Sequence, residues 1–215
     1  RWFVEEFIDQ PVGLVIKTSL ANNSYIDDYH CAKRIEALLA SPAYEDRKCK
    51  VHLLHGDLSA GQMTYLYTHS KIKAMINIAH GEGFGLPLFE AAREGLPIIT
   101  IPWSGQLDFL RHDDKNYFSA VKYKLETVPA EAVWDGVIQK DSHWANADQG
   151  SYKMILRKIK SNYDDAKQTA IELQSLIEEK FSKDKLYESF CASIYTPDPE
   201  VDDWLKELEE NPIRS

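Results

Sequence analysis

The feature of this sequence that most constrains its fold is an alternation. Across residues 1–121, short apolar runs alternate with stretches whose apolar side chains recur at helical spacing. The runs fall at residues 12–16, 51–54, 74–78, 96–101 and 117–121, each of strand length. Between them Phe3, Phe7 and Ile8 mark one helix, and Ile26, Tyr29, Ala32, Ile35, Leu38 and Leu39 mark a second that Ser24 opens. Met63, Leu66 and Tyr67 mark a third, capped by Ser59, and residues 87–94 and 106–111 form two more. The run at 12–16 is nearly continuous, the pattern of a strand buried on both faces of a parallel sheet. Strand–helix units with short connections predict a doubly wound, Rossmann-like parallel α/β sheet. Such sheets bind ligands beyond the carboxyl ends of their strands.

After Lys124 the pattern changes. Residues 151–193 hold two long, charge-rich amphipathic helical patterns, with Ile155, Ile159, Tyr163, Ala166, Ala170, Leu173, Leu176 and Ile177 on the apolar side. Pro197-Asp198-Pro199 predicts an end to regular structure, and an acidic tail follows in which Val201, Trp204, Leu205 and Leu208 suit a short docked helix. The expected organisation is therefore one domain over residues 1–195 and a tail over 196–215. The 25 Lys and Arg against 34 Asp and Glu give a net charge of −9, of which residues 197–215 carry more than half. A chain so acidic lacks the electrostatic footprint for a phosphodiester backbone, which excludes general nucleic-acid binding. Three cysteines without a CxxC pair argue against a disulfide framework or zinc knuckle and for a reducing compartment. No apolar run approaches a transmembrane span, and the opening Arg-Trp-Phe-Val-Glu-Glu does not resemble a signal peptide. The expected location is cytoplasmic, either free or peripheral to a membrane.

The chemistry concentrates in residues 80–99, HGEGFGLPLFEAAREGLPII. Gly81, Gly83 and Gly85 stand between a strand and a helix, where glycine lets the backbone approach a ligand closely. Pro87 suits the first helical turn. The N–H groups of Phe84, Gly85 and Leu86 then project at a helix N-terminus, an anion site. Glu90, one turn in, offers a carboxylate to paired hydroxyls such as those of ribose, and Glu82 lies in the loop before the helix. Plainer readings stand beside these. Glu90 also reads as a first-turn acid on the helix dipole, and Glu82 as a solvated loop residue.

Glu82 and Glu90 have the E-x7-E spacing inside EGFGLPLFEAAREGLPII, and this segment resembles the nucleotide-sugar site of the group 1 retaining glycosyltransferases of GT-B fold. The later Trp103-Ser104-Gly105 falls in order, while residues 12–19, 55–59, 66–67 and 74–79 resemble the family's preceding elements more loosely. The resemblance implies the carboxyl-terminal, donor-binding half of that fold, with C-terminal helices. By position, Glu90 would bind the ribose hydroxyls of a nucleotide diphosphate sugar, and Glu82, the implied catalytic residue, would face and position the donor sugar. The amides of Gly83, Phe84, Gly85 and Leu86 would hold the departing diphosphate. Lys17, at a strand's carboxyl end, would neutralise phosphate, although it also reads as an ordinary exposed lysine. The base pocket would fall near Asp57 and Leu58. His80 abuts the motif on the sugar side and reads more readily as a structural histidine. Gly105 matches the second of the family's two glycines at its turn, and Ser104 replaces the first.

The family's transfer retains anomeric configuration, needs no cofactor or bound metal, and uses the leaving diphosphate as base. In keeping with that, neither HExxH nor DxD occurs, and His52 and His55, three apart on a strand, point to opposite faces. A complete enzyme would add an N-terminal acceptor domain. The family's first strand of the donor domain, with its phosphate-binding Arg and Lys-Gly, would precede Arg1, so this portion alone is expected to transfer little sugar. The alternative expectation is a non-catalytic nucleotide or sugar-nucleotide binding module.

Overall fold

The computed structural model describes residues 1–21, 23–194 and 199–210. The chain divides into two units, residues 1–174 and 175–215. The first contains α1 (Trp2–Glu6), β1 (Gly13–Thr18), α2 (Tyr25–Leu39), β2 (Lys50–His55), α3 (Ala60–Thr68), β3 (Met75–Asn77), α4 (Leu86–Arg93), β4 (Ile98–Thr100) and α5 (Leu107–Leu110). There follow the short strands β5 (Arg111–His112), β6 (Lys115–Asn116) and β7 (Ser119–Ala120), then β8 (Tyr123–Thr127), β9 (His143–Ala147) and α6 (Gln149–Ser161). The remaining helices are α7 (Tyr163–Lys180), α8 (Lys183–Ile194) and α9 (Pro199–Glu210).

This is the expected α/β fold with parallel strands joined by helices. The side chain of Ser24 accepts the Asp27 N–H at the start of α2, and Ser59 and Gln62 close a reciprocal capping box on α3. The parallel strands form two ladders: β1 with β2, and β3 with β4 and β7. Among the described residues no ladder joins β1 to β3.

The second ladder is the better covered. Ile98, Ile99 and Thr100 of β4 are all buried. Ile99 and Ile101 face a cluster in which α1 contributes Phe3 and Val4, with Phe7 just beyond it, and α6 contributes Tyr152, Ile155, Leu156 and Ile159. The helix α4 packs on β3 and β4 and buries Leu88, Ala91 and Ala92 completely. The first ladder departs from expectation. The run at 12–16 was expected to be buried on both faces, yet exposure alternates along β1, and Val15 is 37% exposed. Its register partner His52 is exposed too. The physical reason is coverage, because Leu14 and Val51 pack against the core cluster while Val15 and His52 face away from it.

Two further differences concern residues 122–194. The antiparallel pair β8–β9 was not expected, since Lys, Glu, His and Asn interrupt any apolar period there. The expected two helical patterns are three helices: the backbone of Asn162 leaves helical geometry at φ −136° and ends α6, and a second break at residues 181–182 separates α7 from α8. In the second unit α9 is helical, with Val201, Trp204 and Leu205 40%, 57% and 45% exposed. Of the expected break at Pro197-Asp198-Pro199, the first two residues lie outside the described residues, and Pro199 instead opens α9, since its fixed φ and missing N–H suit a first helical turn. No described helix is long and apolar enough to cross a membrane.

Charged contacts lock α1 onto α6. Lys153 Nζ lies 2.7 Å from Glu5 Oε2, Gln149 donates to the same oxygen at 2.8 Å, and Arg1 Nε lies 2.7 Å from Oε1. Arg157 grips both oxygens of Glu6. Hydrogen bonds from Lys153 and Arg1 hold the Glu5 carboxyl down to about 2. A depressed carboxyl pKa stabilises the fold above the unfolded value near 4.5, and that contribution is lost as pH falls toward about 2. Glu5→Gln is therefore expected to lower stability by about 1 kcal/mol at neutral pH. Melting curves should show the gap between variant and parent closing as pH is lowered through that window.

Candidate functional site

The glycine-rich turn is built by close contact between two loops. Gly105 N–H donates to the Glu82 carbonyl at 3.0 Å, and Ser104 Oγ donates to the same oxygen at 2.7 Å while accepting Glu82 N–H at 3.2 Å. A Cβ added to Gly105 would sit 1.8 Å from the Gly83 carbonyl oxygen, inside any tolerable contact. The glycine is thus required by the neighbouring backbone. Ser104 adopts φ +78°, a conformation that favours glycine, and its two hydroxyl bonds to Glu82 hold it there. That geometry accounts for a serine at this left-handed position.

The helix start follows from the same region. Gly85 caps α4 with φ +85°, and its carbonyl accepts the N–H groups of Leu88 and Phe89 at 2.9 and 3.0 Å. The Phe84 ring packs with Phe89 and Phe109 at centroid distances of 5.3 and 5.0 Å, anchoring the loop by its side chain. Among the described residues, the N–H groups of Gly85 and Leu86 have no acceptor within the chain, as an anion-binding helix start requires. Pro87 lies in the first turn, as expected.

Both carboxylates are held. Asn77, the last residue of β3, donates from Nδ2 to Glu82 Oε1 at 2.5 Å, and its own Oδ1 accepts Ala79 N–H at 2.8 Å. Glu82 is half-buried and fixed by backbone and side chain together, so it is no merely solvated loop residue. Glu90 is exposed, and its Oε2 accepts from the Tyr67 hydroxyl at 3.4 Å. Glu90 is the fifth residue of α4, beyond the first turn, which removes the plain helix-dipole reading. Burial, then the nearby Glu90 charge and its hydrogen bond, push the Tyr67 phenol up to about 12. Tyr67 consequently remains a donor throughout the neutral range.

The other expected site residues form two further groups. His80 stacks on Trp144 at 4.6 Å with 8° between the rings, and His80 Nδ1 lies 3.1 Å from the Ala145 carbonyl. This ties the exposed His80 to β9 and gives it a structural role. Lys17 Nζ donates to the Gly56 carbonyl at 2.5 Å, beside exposed Asp57 and half-buried Leu58. Among the described residues, no hydrogen bond or ion pair joins Lys17 or Asp57 to Glu82 or Glu90.

Sequence reasoning missed Asn77, Tyr67 and Trp144. A polar residue ending an apolar strand just ahead of the glycines was the available signal for Asn77. Tyr67 read as packing on α3, and Trp144 lies in a stretch without period.

No family model matches the chain. The poly(glycerol-phosphate) α-glucosyltransferase of Bacillus subtilis (strain 168) is 24% identical over 138 residues, covering 64% of this chain and 19% of that protein. The chain thus spans about a fifth of the length of the curated relative it matches. Among solved structures, the GtfA/B complex has a TM-score of 0.38 at 17% identity, covering 77% of this chain and 32% of that one. The pneumococcal O-GlcNAc transferase GtfA in complex with UDP and GlcNAc has a TM-score of 0.40 at 17% identity, covering 82% and 36%.

The loop contact makes a direct prediction. Gly105→Ala is expected to destabilise the chain by about 2–3 kcal/mol, since backbone must move to admit the methyl group. Denaturant melts check this, with Gly83→Ala as control, because a Cβ there meets nothing within 4 Å.

Proposed function

We propose that this chain is the donor-binding portion of a retaining glycosyltransferase and holds a nucleotide diphosphate sugar. The observation that carries the reading is the pair of carboxylates, each fixed by its own donor, on either side of a glycine-rich helix start. Asn77 aims Glu82 and Tyr67 aims Glu90, while unpaired amides of Gly85 and Leu86 stand between them in the chain. Glu90 binds the ribose hydroxyls. The amides of residues 83–86 receive the diphosphate and stabilise the negative charge that grows on it as the glycosidic bond breaks. Glu82 accepts a hydroxyl of the donor sugar and fixes its orientation. The base lies toward Asp57 and Leu58, and Lys17 adds positive charge near the phosphates.

Transfer in this reading retains anomeric configuration and proceeds in the reducing cytoplasm with no cofactor or metal in the reacting step. The similarity to a named α-glucosyltransferase supports sugar transfer as the reaction class. The two ladders support a missing segment. In a doubly wound sheet of order 3-2-1-4-5-6, strand 1 lies between strands 2 and 4. The two separate ladders, β2–β1 and β3–β4–β7, match 3-2 and 4-5-6 of that order, and its position 1 has no counterpart among the described strands. The acceptor is bound by an N-terminal domain of the same enzyme, and this portion alone transfers little.

Calorimetric titration with UDP-, GDP- and ADP-sugars tests the reading. One of them is expected to saturate the chain at millimolar concentration, and Glu90→Ala to weaken it roughly 10–100-fold, the worth of hydrogen bonds to a charged acceptor. Glu82→Gln should reduce affinity for the sugar nucleotide while leaving that for the free nucleoside diphosphate unchanged. Saturation by none of the three, or equal affinity in Glu90→Ala, contradicts the assignment.

A further inference from the structure

A second constellation lies on the other ladder, at the carboxyl ends of β1 and β2. A carboxylate oxygen of Asp27, the Sγ of Cys31 and a ring nitrogen of His55 lie within 4.8 Å of one another. Asp27 and Cys31 are 6% and 4% exposed, and the His55 side chain 9%. We propose that these three residues bind a divalent transition-metal ion of the zinc class, which ties α2 to the end of β2.

The geometry favours an ion in several independent ways. Asp27 and Cys31 are four apart on α2 and so share a helix face, while His55 ends β2 and supplies the third ligand from another element. The carboxylate of Asp27 is already oriented, because Leu20 N–H donates to both oxygens, at 3.1 Å to Oδ1 and 3.0 Å to Oδ2, and Ala21 N–H donates to Oδ1 at 3.0 Å. Its Oδ2 is hydrogen-bonded to His55 Nε2 at 2.8 Å, which brings the two ligands together through a contact that the ion replaces. The other imidazole nitrogen, Nδ1, lies 3.9 Å from Asp28 Oδ1. Metal-bound histidines generally give their remaining N–H to such a carboxylate. On binding, the ion replaces the His55–Asp27 hydrogen bond: the imidazole proton shifts from Nε2 to Nδ1, facing Asp28, the freed Nε2 lone pair binds the ion, and the Cys31 thiol releases its proton to solvent.

The donor set defines the class of ion. One sulfur, one nitrogen and one oxygen ligand suit Zn²⁺, whereas Mg²⁺ and Ca²⁺ demand oxygen. Three protein ligands leave a fourth tetrahedral position for water. His55 immediately precedes Gly56, whose carbonyl takes the Lys17 ammonium. An ion here fixes that loop, and its role is structural.

Co²⁺ titration of the 215-residue chain, in a reductant without thiols, tests the proposal. The expected result is one ion per chain, with a near-ultraviolet thiolate-to-metal band and visible bands of four-coordinate Co²⁺, both displaced by stoichiometric Zn²⁺. Cys31→Ser should abolish the thiolate band, and Cys191→Ser, at an exposed position, should keep it. Asp28→Asn, at a position 47% exposed, should leave metal-free melting unchanged and weaken Zn²⁺ binding about 10–100-fold. No thiolate band at millimolar Co²⁺, or a band that survives Cys31→Ser, overturns the proposal and leaves the triad as a hydrogen-bonded staple. Because the reporter is the metal spectrum, the result is independent of whether any sugar nucleotide binds.

Discussion

The approach of Gly105 to the carbonyl of Gly83 is the contact on which the site depends. It lets two loops from the carboxyl ends of neighbouring parallel strands lie against each other, with no side chain between Gly83 and Gly105. Once they touch, the carbonyl of Glu82 receives both Gly105 N–H and Ser104 Oγ, and residue 82 is pinned at its backbone. Asn77 then fixes its carboxylate, and Gly85 turns the chain into α4, which carries Glu90 toward Tyr67. Preorganisation of this kind lets a modest number of polar groups bind a charged ligand without reordering the loop.

Two regions of the first unit have unequal support. Around β3, β4 and β7, helices cover the strands and leave Ile98, Ile99 and Thr100 buried. Around β1 and β2, one face is open, and polar groups do more of the holding: Asp27 bridges residues 20 and 21 to His55, and Lys17 reaches Gly56.

Much of this was legible in the sequence because it is local. Ser24 and Ser59 announce helix starts through bonds that span three residues, and Pro87 and Gly85 mark the entry to α4. The strand positions follow from apolar runs bounded by turns. Contacts between distant residues were not legible. Nothing near Tyr67 signals Glu90, 23 residues on, and nothing near Asp27 signals His55, 28 residues on. His80 read as a neighbour of the motif, whereas its partner is Trp144 on a strand whose polar composition hides it. The expectation of a doubly buried β1 failed for the same reason, since coverage is a property of the packing around a strand.

The central claim is that the turn at residues 82–86 is a ready-made receptor for a nucleotide diphosphate. Amide NMR spectra recorded while a nucleoside diphosphate is added address it residue by residue. The predicted result is that shifts concentrate at residues 82–86, 90 and 104–106, with smaller changes near 55–58. Saturating shifts confined to other surfaces, or none at millimolar ligand, would contradict it.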